Sequence, residues 1–246
     1  MRTLKLPSGQ LIPVLGMGTW RMGENALHRQ SEIDALRHGL DLGFSLIDTA
    51  EMYGEGGAEE VIAQAIANRR ESVFLVSKVY PHNASKQKAI AACERSLKRL
   101  KTDYLDVYLL HWRGSVPLAE TLEAFETLQQ SGKIRSYGVS NFDIEDMQEV
   151  SQLKGGKGIV TNQVLYNLMR RGIEWNLLPW CRQQNIPIMA YSPIEQGRLL
   201  NNKTIKAIAQ QRGVTAAQVA IAWLLHQEDI IVIPKSSRID HVEQNY

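Results

Sequence analysis

Residues 73–112, VFLVSKVYPHNASKQKAIAACERSLKRLKTDYLDVYLLHW, hold one complete structural repeat. The stretch opens on the apolar run Phe74-Leu75-Val76 and closes on Val107-Tyr108-Leu109-Leu110. Between them Ile90, Cys93, Leu97 and Leu100 share one face of a 3.6-residue period. Apolar runs without alternation predict strands buried on both faces, as in a parallel sheet with a helical crossover. The unit recurs along the chain. Strand-like runs begin near Val14, Ser45, Val73, Tyr104, Ile134, Ile159, Ile186 and Ile230, about 25–32 residues apart with one longer gap before the last. Helical faces recur too, at Ile33, Leu36 and Leu40 and at Leu118, Leu122, Phe125 and Leu128. Eight βα units in 246 residues, without a linker, predict an α/β protein: a closed (β/α)8 TIM barrel forming a single domain over 1–246.

Leu4-Lys5-Leu6, a Pro7-Ser8-Gly9 turn and Leu11-Ile12 predict an N-terminal β-hairpin ahead of the barrel. Two helical patterns, from Thr204 and from Thr215, fill the gap before strand eight, so one of them is an extra helix. Thr215 and Gln218 form a capping box at the start of the second. A doubly wound sheet is the rival, but Gly16-Met17-Gly18-Thr19-Trp20-Arg21 lacks its third glycine and Gly54-Glu55-Gly56-Gly57 fails the spacing. A net charge of +2 argues against a nucleic-acid or acidic-membrane partner. The first residues lack the apolar core of a secretory signal, and the longest apolar run, Val219 to Leu225, is far too short to span a membrane. These features point to a soluble, cytoplasmic protein, with a monomer as the default. Cys93 and Cys181 sit far apart in helical patterns and read as reduced thiols. The six histidines show no paired metal-ligand spacing, so no metal is expected.

Catalytic groups of such barrels lie at the carboxyl ends of strands. Those ends hold Asp48, with Tyr53 in the loop beyond it, then Lys78, then His111. Singly, Asp48 reads as a helix cap and His111 as a satisfied core histidine. Lys78 is harder to dismiss, because lysine is seldom buried without a partner. Together they suit proton transfer to a carbonyl. A tyrosine with its usual pKa of about 10 is a poor acid–base group near neutrality. A cationic Lys78 beside Tyr53 is expected to lower that pKa, Asp48 to hold Lys78 charged, and His111 to orient the carbonyl. None of these donates hydride, so a cofactor must.

The chain closely resembles the aldo-keto reductases. The matching pieces are Asp48-Thr49-Ala50-Glu51-Met52-Tyr53, Val76-Ser77-Lys78, Leu109-Leu110-His111-Trp112, Gly138-Val139-Ser140-Asn141-Phe142, Thr161-Asn162-Gln163, Ala190-Tyr191-Ser192-Pro193 and Ile233-Pro234-Lys235-Ser236. They span about Gly16 to Asn245, in register with all eight predicted strands. The resemblance implies NADPH-dependent reduction of small aldehydes and ketones, with Tyr53 as acid, assisted by Lys78 and Asp48, and His111 orienting substrate. It implies that Ser140, Asn141 and Gln163 hold the nicotinamide carboxamide and that Tyr191 stacks on the ring. Ser192 and Leu199 would follow the pyrophosphate, Lys235 and Ser236 the adenosine 2′-phosphate, and Gln244 and Asn245 the adenine. Trp20, Met52, Tyr80 and Trp112 would wall the substrate pocket. His241 stands where the family often has an arginine, and an imidazole grips a dianion less well than a guanidinium. NADPH is therefore expected, with NADH as a weaker alternative. Tyr80 stands where tryptophan is common, and the stretch Glu195 to Lys203 is short for the family. The pattern is most similar to bacterial reductases of methylglyoxal and related 2-oxoaldehydes. It also implies a longer C-terminal helix and tail than the given residues hold, because Glu243-Gln244-Asn245-Tyr246 falls in the first turn after strand eight. Two other readings stay open: a barrel in which Lys78 is a Schiff-base nucleophile of aldolase type, and a nicotinamide-binding regulatory subunit without turnover.

Overall fold

The computed structural model describes residues 2–246. A hairpin comes first, β1 (Thr3–Lys5) pairing antiparallel with β2 (Leu11–Pro13) and Leu4 facing Ile12. Then come β3 (Gly16–Gly18), α1 (Arg29–Leu42), β4 (Leu46–Asp48), α2 (Gly57–Ala65), β5 (Phe74–Val79), α3 (Lys86–Leu100), β6 (Leu105–Leu110) and α4 (Leu118–Gln130). The second half holds β7 (Ile134–Ser140), α5 (Ile144–Gln152), β8 (Ile159–Leu165), α6 (Leu177–Gln183), β9 (Ile188–Tyr191), α7 (Lys203–Arg212), α8 (Ala216–Leu225), β10 (Ile230–Val232) and α9 (Ile239–Asn245). Strands β3 to β10 pair in chain order and in parallel. Parallel bridges Leu15–Val232 and Gly18–Lys235 bring the last strand back against the first. This is the (β/α)8 barrel the repeat predicts.

Two buried layers follow from the pleat. Leu46, Val76, Val107, Leu109, Val160 and Ile231 fill the barrel, joined by Leu6 and Ile12 of the hairpin. The hairpin therefore plugs the barrel, and Gln10 accepts a hydrogen bond from Ser136 near the start of β7 (2.7 Å). The opposite faces of the strands meet the helices in a second cluster that includes Leu36, Cys93, Leu97 and Phe125. Burial pushes the thiols of Cys93 and Cys181 up to about 12, so both stay protonated. α7 is the extra helix before the last strand, and Thr215 and Gln218 form the expected capping box at α8. Past β10 the helix covers seven residues, Ile239–Asn245, rather than only its first turn.

The glycine run that fails as a phosphate fingerprint has a packing role. A Cβ on Gly23 would lie 2.1 Å from the carbonyl carbon of Gly57, so the loops after β3 and β4 meet backbone to backbone. That contact sets Trp20 and Arg21 next to the turn that carries Tyr53.

Behind the strand bearing Lys78, α2, α3 and β5 are tied by one buried carboxylate. Glu59, fully buried, accepts from Ser77 Oγ (2.8 Å) and from Arg99 Nε (2.6 Å). Its place in the first turn of α2 also suits the helix dipole. Removing one partner of a buried pair leaves an uncompensated charge. Arg99→Met is expected to destabilise the fold by about 3 kcal/mol, read as a lower urea midpoint at unchanged slope; an unchanged midpoint would refute this role for Glu59.

Candidate active site

Six of the eight strand ends each deliver one polar group to the same face of the barrel. β4 ends on Asp48, β5 carries Lys78, β6 runs into His111, β7 ends on Ser140, β8 carries Gln163 and β9 ends on Tyr191. Lys78 has no exposed surface, and its ammonium uses all three donors: Asp48 Oδ2 at 2.8 Å, the Thr49 carbonyl at 2.7 Å and Tyr53 Oη at 3.2 Å. The second oxygen of Asp48 accepts from Gln163 Nε2 at 2.7 Å. The His111 ring meets the Tyr53 ring edge-on, 5.8 Å between centroids, and its Nδ1 is buried without a partner. The four predicted chemical residues thus converge.

Burial governs their protonation. It pulls Lys78 down, but Asp48 and Tyr53 outweigh it and the ammonium sits above its ordinary value. Burial raises Tyr53, and Lys78 offsets this only in part, with Asp48 acting against Lys78. The expected lowering of the phenol is therefore corrected: the net direction is upward, and Tyr53 is held as a neutral phenol. His111 is pushed down to about 3 by burial and by the Lys78 charge, which leaves a neutral imidazole.

Tyr53, Asp48 and His111 form the inner end of a cavity of about 640 Å³. Lys78 stays behind them, out of the cavity. Trp20, Met52 and Trp112 make an aromatic and apolar wall. Ser140, Asn141, Gln163 and Tyr191 make a polar edge, pre-tied by bonds from Tyr191 Oη to Asn141 Oδ1 (2.8 Å) and from Asn141 Nδ2 to the His111 carbonyl (3.0 Å). Farther out lie Ser192, Lys235 and His241.

Besides Lys78, five predicted residues do not reach this cavity. Tyr80 stands behind Trp112, its ring edge-on at 6.0 Å, and buttresses that wall instead of forming it. Leu199 packs with Ile205 and Ala220 in a small separate core, while its neighbour Leu200 faces the cavity. Ser236 Oγ is taken up by its own turn, accepting from the Arg238 N–H at 3.1 Å. Gln244 and Asn245 lie a helical turn beyond His241, the α9 residue that does reach the wall.

The sequence reading missed Arg21. It lines the cavity with its guanidinium 4.5 Å above the Trp20 ring, and among the described residues it makes no ion pair. Its position directly after Trp20 was the available signal. Among the described residues the Lys235 ammonium hydrogen-bonds to Ser237 Oγ alone, at 3.4 Å, and burial lowers its pKa, with Arg21 pushing the same way against Glu32 and Glu24. Two cations without carboxylate partners at one end of a cavity suit an anionic group. The same reading missed Gln196 and Gly197, which also line the wall.

The sequence and the fold both match known proteins. The model of the Aldo/keto reductase family matches residues 14–246. Methylglyoxal reductase YeaE of Escherichia coli is 56% identical over 95% of this chain and 84% of its own length. The glyoxal reductase of Bacillus subtilis is 34% identical over 99% and 85%. The crystal structure of an aldo/keto reductase from Klebsiella pneumoniae, in complex with NADP and acetate, superimposes with a TM-score of 0.96 at 52% identity, covering 99% of this chain and 88% of that one.

A histidine held near pKa 3 does not titrate in the physiological range. Nitrogen-resolved NMR of the His111 ring is expected to show a neutral imidazole throughout pH 5 to 8, against an ordinary histidine midpoint of about 6.5; a midpoint near 6.5 would show that the site does not hold it neutral.

Proposed function

The chain belongs to the aldo/keto reductase family, and from that membership and the site geometry we propose that it reduces small aldehydes and ketones with NADPH, 2-oxoaldehydes such as methylglyoxal foremost. The observation that carries the reading is the Tyr53 hydroxyl, at the cavity's inner end, hydrogen-bonded to a fully buried ammonium. The cavity fits the cofactor at both ends: unpaired cations Arg21 and Lys235 for phosphates, and a polar edge with an aromatic ring for a nicotinamide. Lys235 and His241 would meet the 2′-phosphate, Ser192 the pyrophosphate, and Ser140, Asn141 and Gln163 the carboxamide, with Tyr191 against the ring. NADH, lacking the phosphate, would bind less tightly. When bound, the reduced nicotinamide supplies hydride.

The chain's own residues do the rest. Tyr53 holds a proton at Oη and delivers it to the carbonyl oxygen as negative charge develops there. Lys78 stabilises the phenolate left behind, which costs nothing in the ground state because Lys78 is already fixed by Asp48 and the Thr49 carbonyl. Neutral His111 sits edge-on to Tyr53, where a ring N–H can hold the same oxygen. Trp20, Met52 and Trp112 exclude water and suit a small apolar substituent. The Schiff-base reading of Lys78 is disfavoured, since its nitrogen is protonated, buried and uses all three donors. Among the described residues no helix is long and apolar enough to cross a membrane. We further place the protein in the cytoplasm, as a single-domain monomer.

With methylglyoxal and NADPH, Tyr53→Phe is expected to lose about 10²–10⁴ of kcat/KM, the usual share of a general acid, with NADPH affinity unchanged. Reduction by the unmodified chain should be flat across neutral pH and fall only above the ordinary tyrosine range of about 10, because the acid form of a raised phenol is the active one. Methylglyoxal-dependent NADPH oxidation no faster than in Tyr53→Phe would reject the function.

A further inference from the structure

The outer wall of the cavity is a segment with almost no regular structure. It runs from Ser192 through a 3-10 stretch at Glu195–Asn201, and it presents Ser192, Ile194, Gln196, Gly197 and Leu200 to the cavity. Three of its residues other than glycine lie in the left-handed region: Ser192 at φ 50°, Glu195 at φ 51° and Gln196 at φ 54°. Such backbone persists only where the surroundings over-determine it. Glu195 carries a second penalty, because its carboxylate is buried at 2% exposure. A buried acid on strained backbone beside a binding cavity must be compensated.

The compensation comes mainly from a different loop. Asn167, fully buried in the turn after β8, donates Nδ2 both to Glu195 Oε2 (2.7 Å) and to the Ser192 carbonyl (2.9 Å). Arg170 of the same turn donates Nε to Glu195 Oε1 at 3.0 Å, and Arg198 reaches the same oxygen at 3.1 Å. These bonds, Asn167 first, hold the Glu195 carboxyl below the usual carboxylate range against its burial. Leu199 supplies the apolar counterpart, buried with Ile205 and Ala220. Glu195 and Leu199, the two buried residues of the segment that turn away from the cavity, are thus the anchors of those that face it.

We propose that Glu195 is a positioning residue for the cofactor: its bonds to Asn167, Arg170 and Arg198 hold the Ser192–Asn201 wall in the form that retains bound NADPH. The carboxylate touches neither substrate nor the reacting atoms. It acts on how long the cofactor stays, through the backbone it fixes. This inference rests on the reductase reading, because the wall is assigned to the cofactor end of that site.

The test is stopped-flow release of NADPH, followed by its fluorescence, alongside steady-state reduction of methylglyoxal. Glu195→Gln keeps the shape, removes the charge and turns an N–H toward the donors that face one of the two carboxylate oxygens. It is expected to speed NADPH release and raise its Kd by about tenfold, the scale of losing a charged hydrogen bond, while the KM for methylglyoxal moves by less than about twofold. Glu195→Asp should recover part of the loss. A folded Glu195→Gln protein that releases NADPH at the unmodified rate overturns the proposal. Should that variant fail to fold, Arg198→Ala decides: its side chain is 64% exposed and donates to Glu195, so release should quicken by about threefold, and an unchanged rate overturns the proposal equally. An unmodified chain that binds no NADPH sinks the reductase reading itself, an outcome distinct from either variant's failure.

Discussion

An ammonium without any exposed surface can exist only if every donor on it is satisfied and its charge is matched. Lys78 meets both conditions through Asp48, the Thr49 carbonyl and Tyr53. Taking such an ion out of water carries a penalty of several kcal/mol, so the pairing constrains the fold as well as the chemistry. Asp48 pairs with Val76 across β4 and β5, and Lys78 follows two residues later on the same face. A slip of one residue would turn Lys78 toward the helices and strand Asp48. The register of the barrel and the assembly of the site are therefore the same requirement.

That pair also sets the electrostatics around it. Asp48 and Lys78 cancel, while burial keeps Tyr53 and His111 uncharged. The inner end of the cavity is thus close to neutral, with one proton poised on a phenol. Among the described residues that line the cavity, Arg21 and Lys235 bring positive charge without an ion-pair partner. A long ligand with phosphates at one end and an uncharged ring at the other meets a matching gradient. Orientation follows from charge before any single hydrogen bond is made.

The strands and the four polar residues proposed for the chemistry were legible in the sequence because both follow simple spacing. Buried parallel strands read as apolar runs, and a polar residue that ends such a run stands where the barrel opens onto its active face. Ser140 and Gln163 stand at strand ends in the same way, whereas Tyr191 was indicated only by the resemblance to the family. The irregular wall was not. With Gln196 and Gly197 in the left-handed region, no period connects Glu195 to Leu200, so the sequence could not say that Leu199 turns inward to its own core while Leu200 faces the cavity. Tyr80 was misplaced because spacing cannot tell a ring that lines the wall from one packed edge-on against it. The sign of the Tyr53 shift was missed because charge partners can be guessed from sequence, whereas the extent of burial cannot.

Strain follows the same partition. Five residues that are neither glycine nor asparagine take the left-handed conformation on the loops around the cavity, Arg21, Glu55, Ser192, Glu195 and Gln196, with the tolerant Asn141 beside them. Elsewhere the conformation falls on Asn68 and Asn185, a residue type that tolerates it, on Lys101 where α3 ends, and on Asp229 before β10. At about 1–2 kcal/mol per residue, the cavity loops hold conformations that local preference would not choose. The hairpin-plugged barrel and its helix cluster can bear that load, because their buried apolar layers do not depend on how the loops are shaped. Loop shape is thereby left to be set by polar contacts such as those of Asn167 and Asn141, which are short, directional and few. Substituting one of these reshapes the cavity while leaving the barrel intact, which is why a single scaffold can hold a fixed proton donor beside a variable wall.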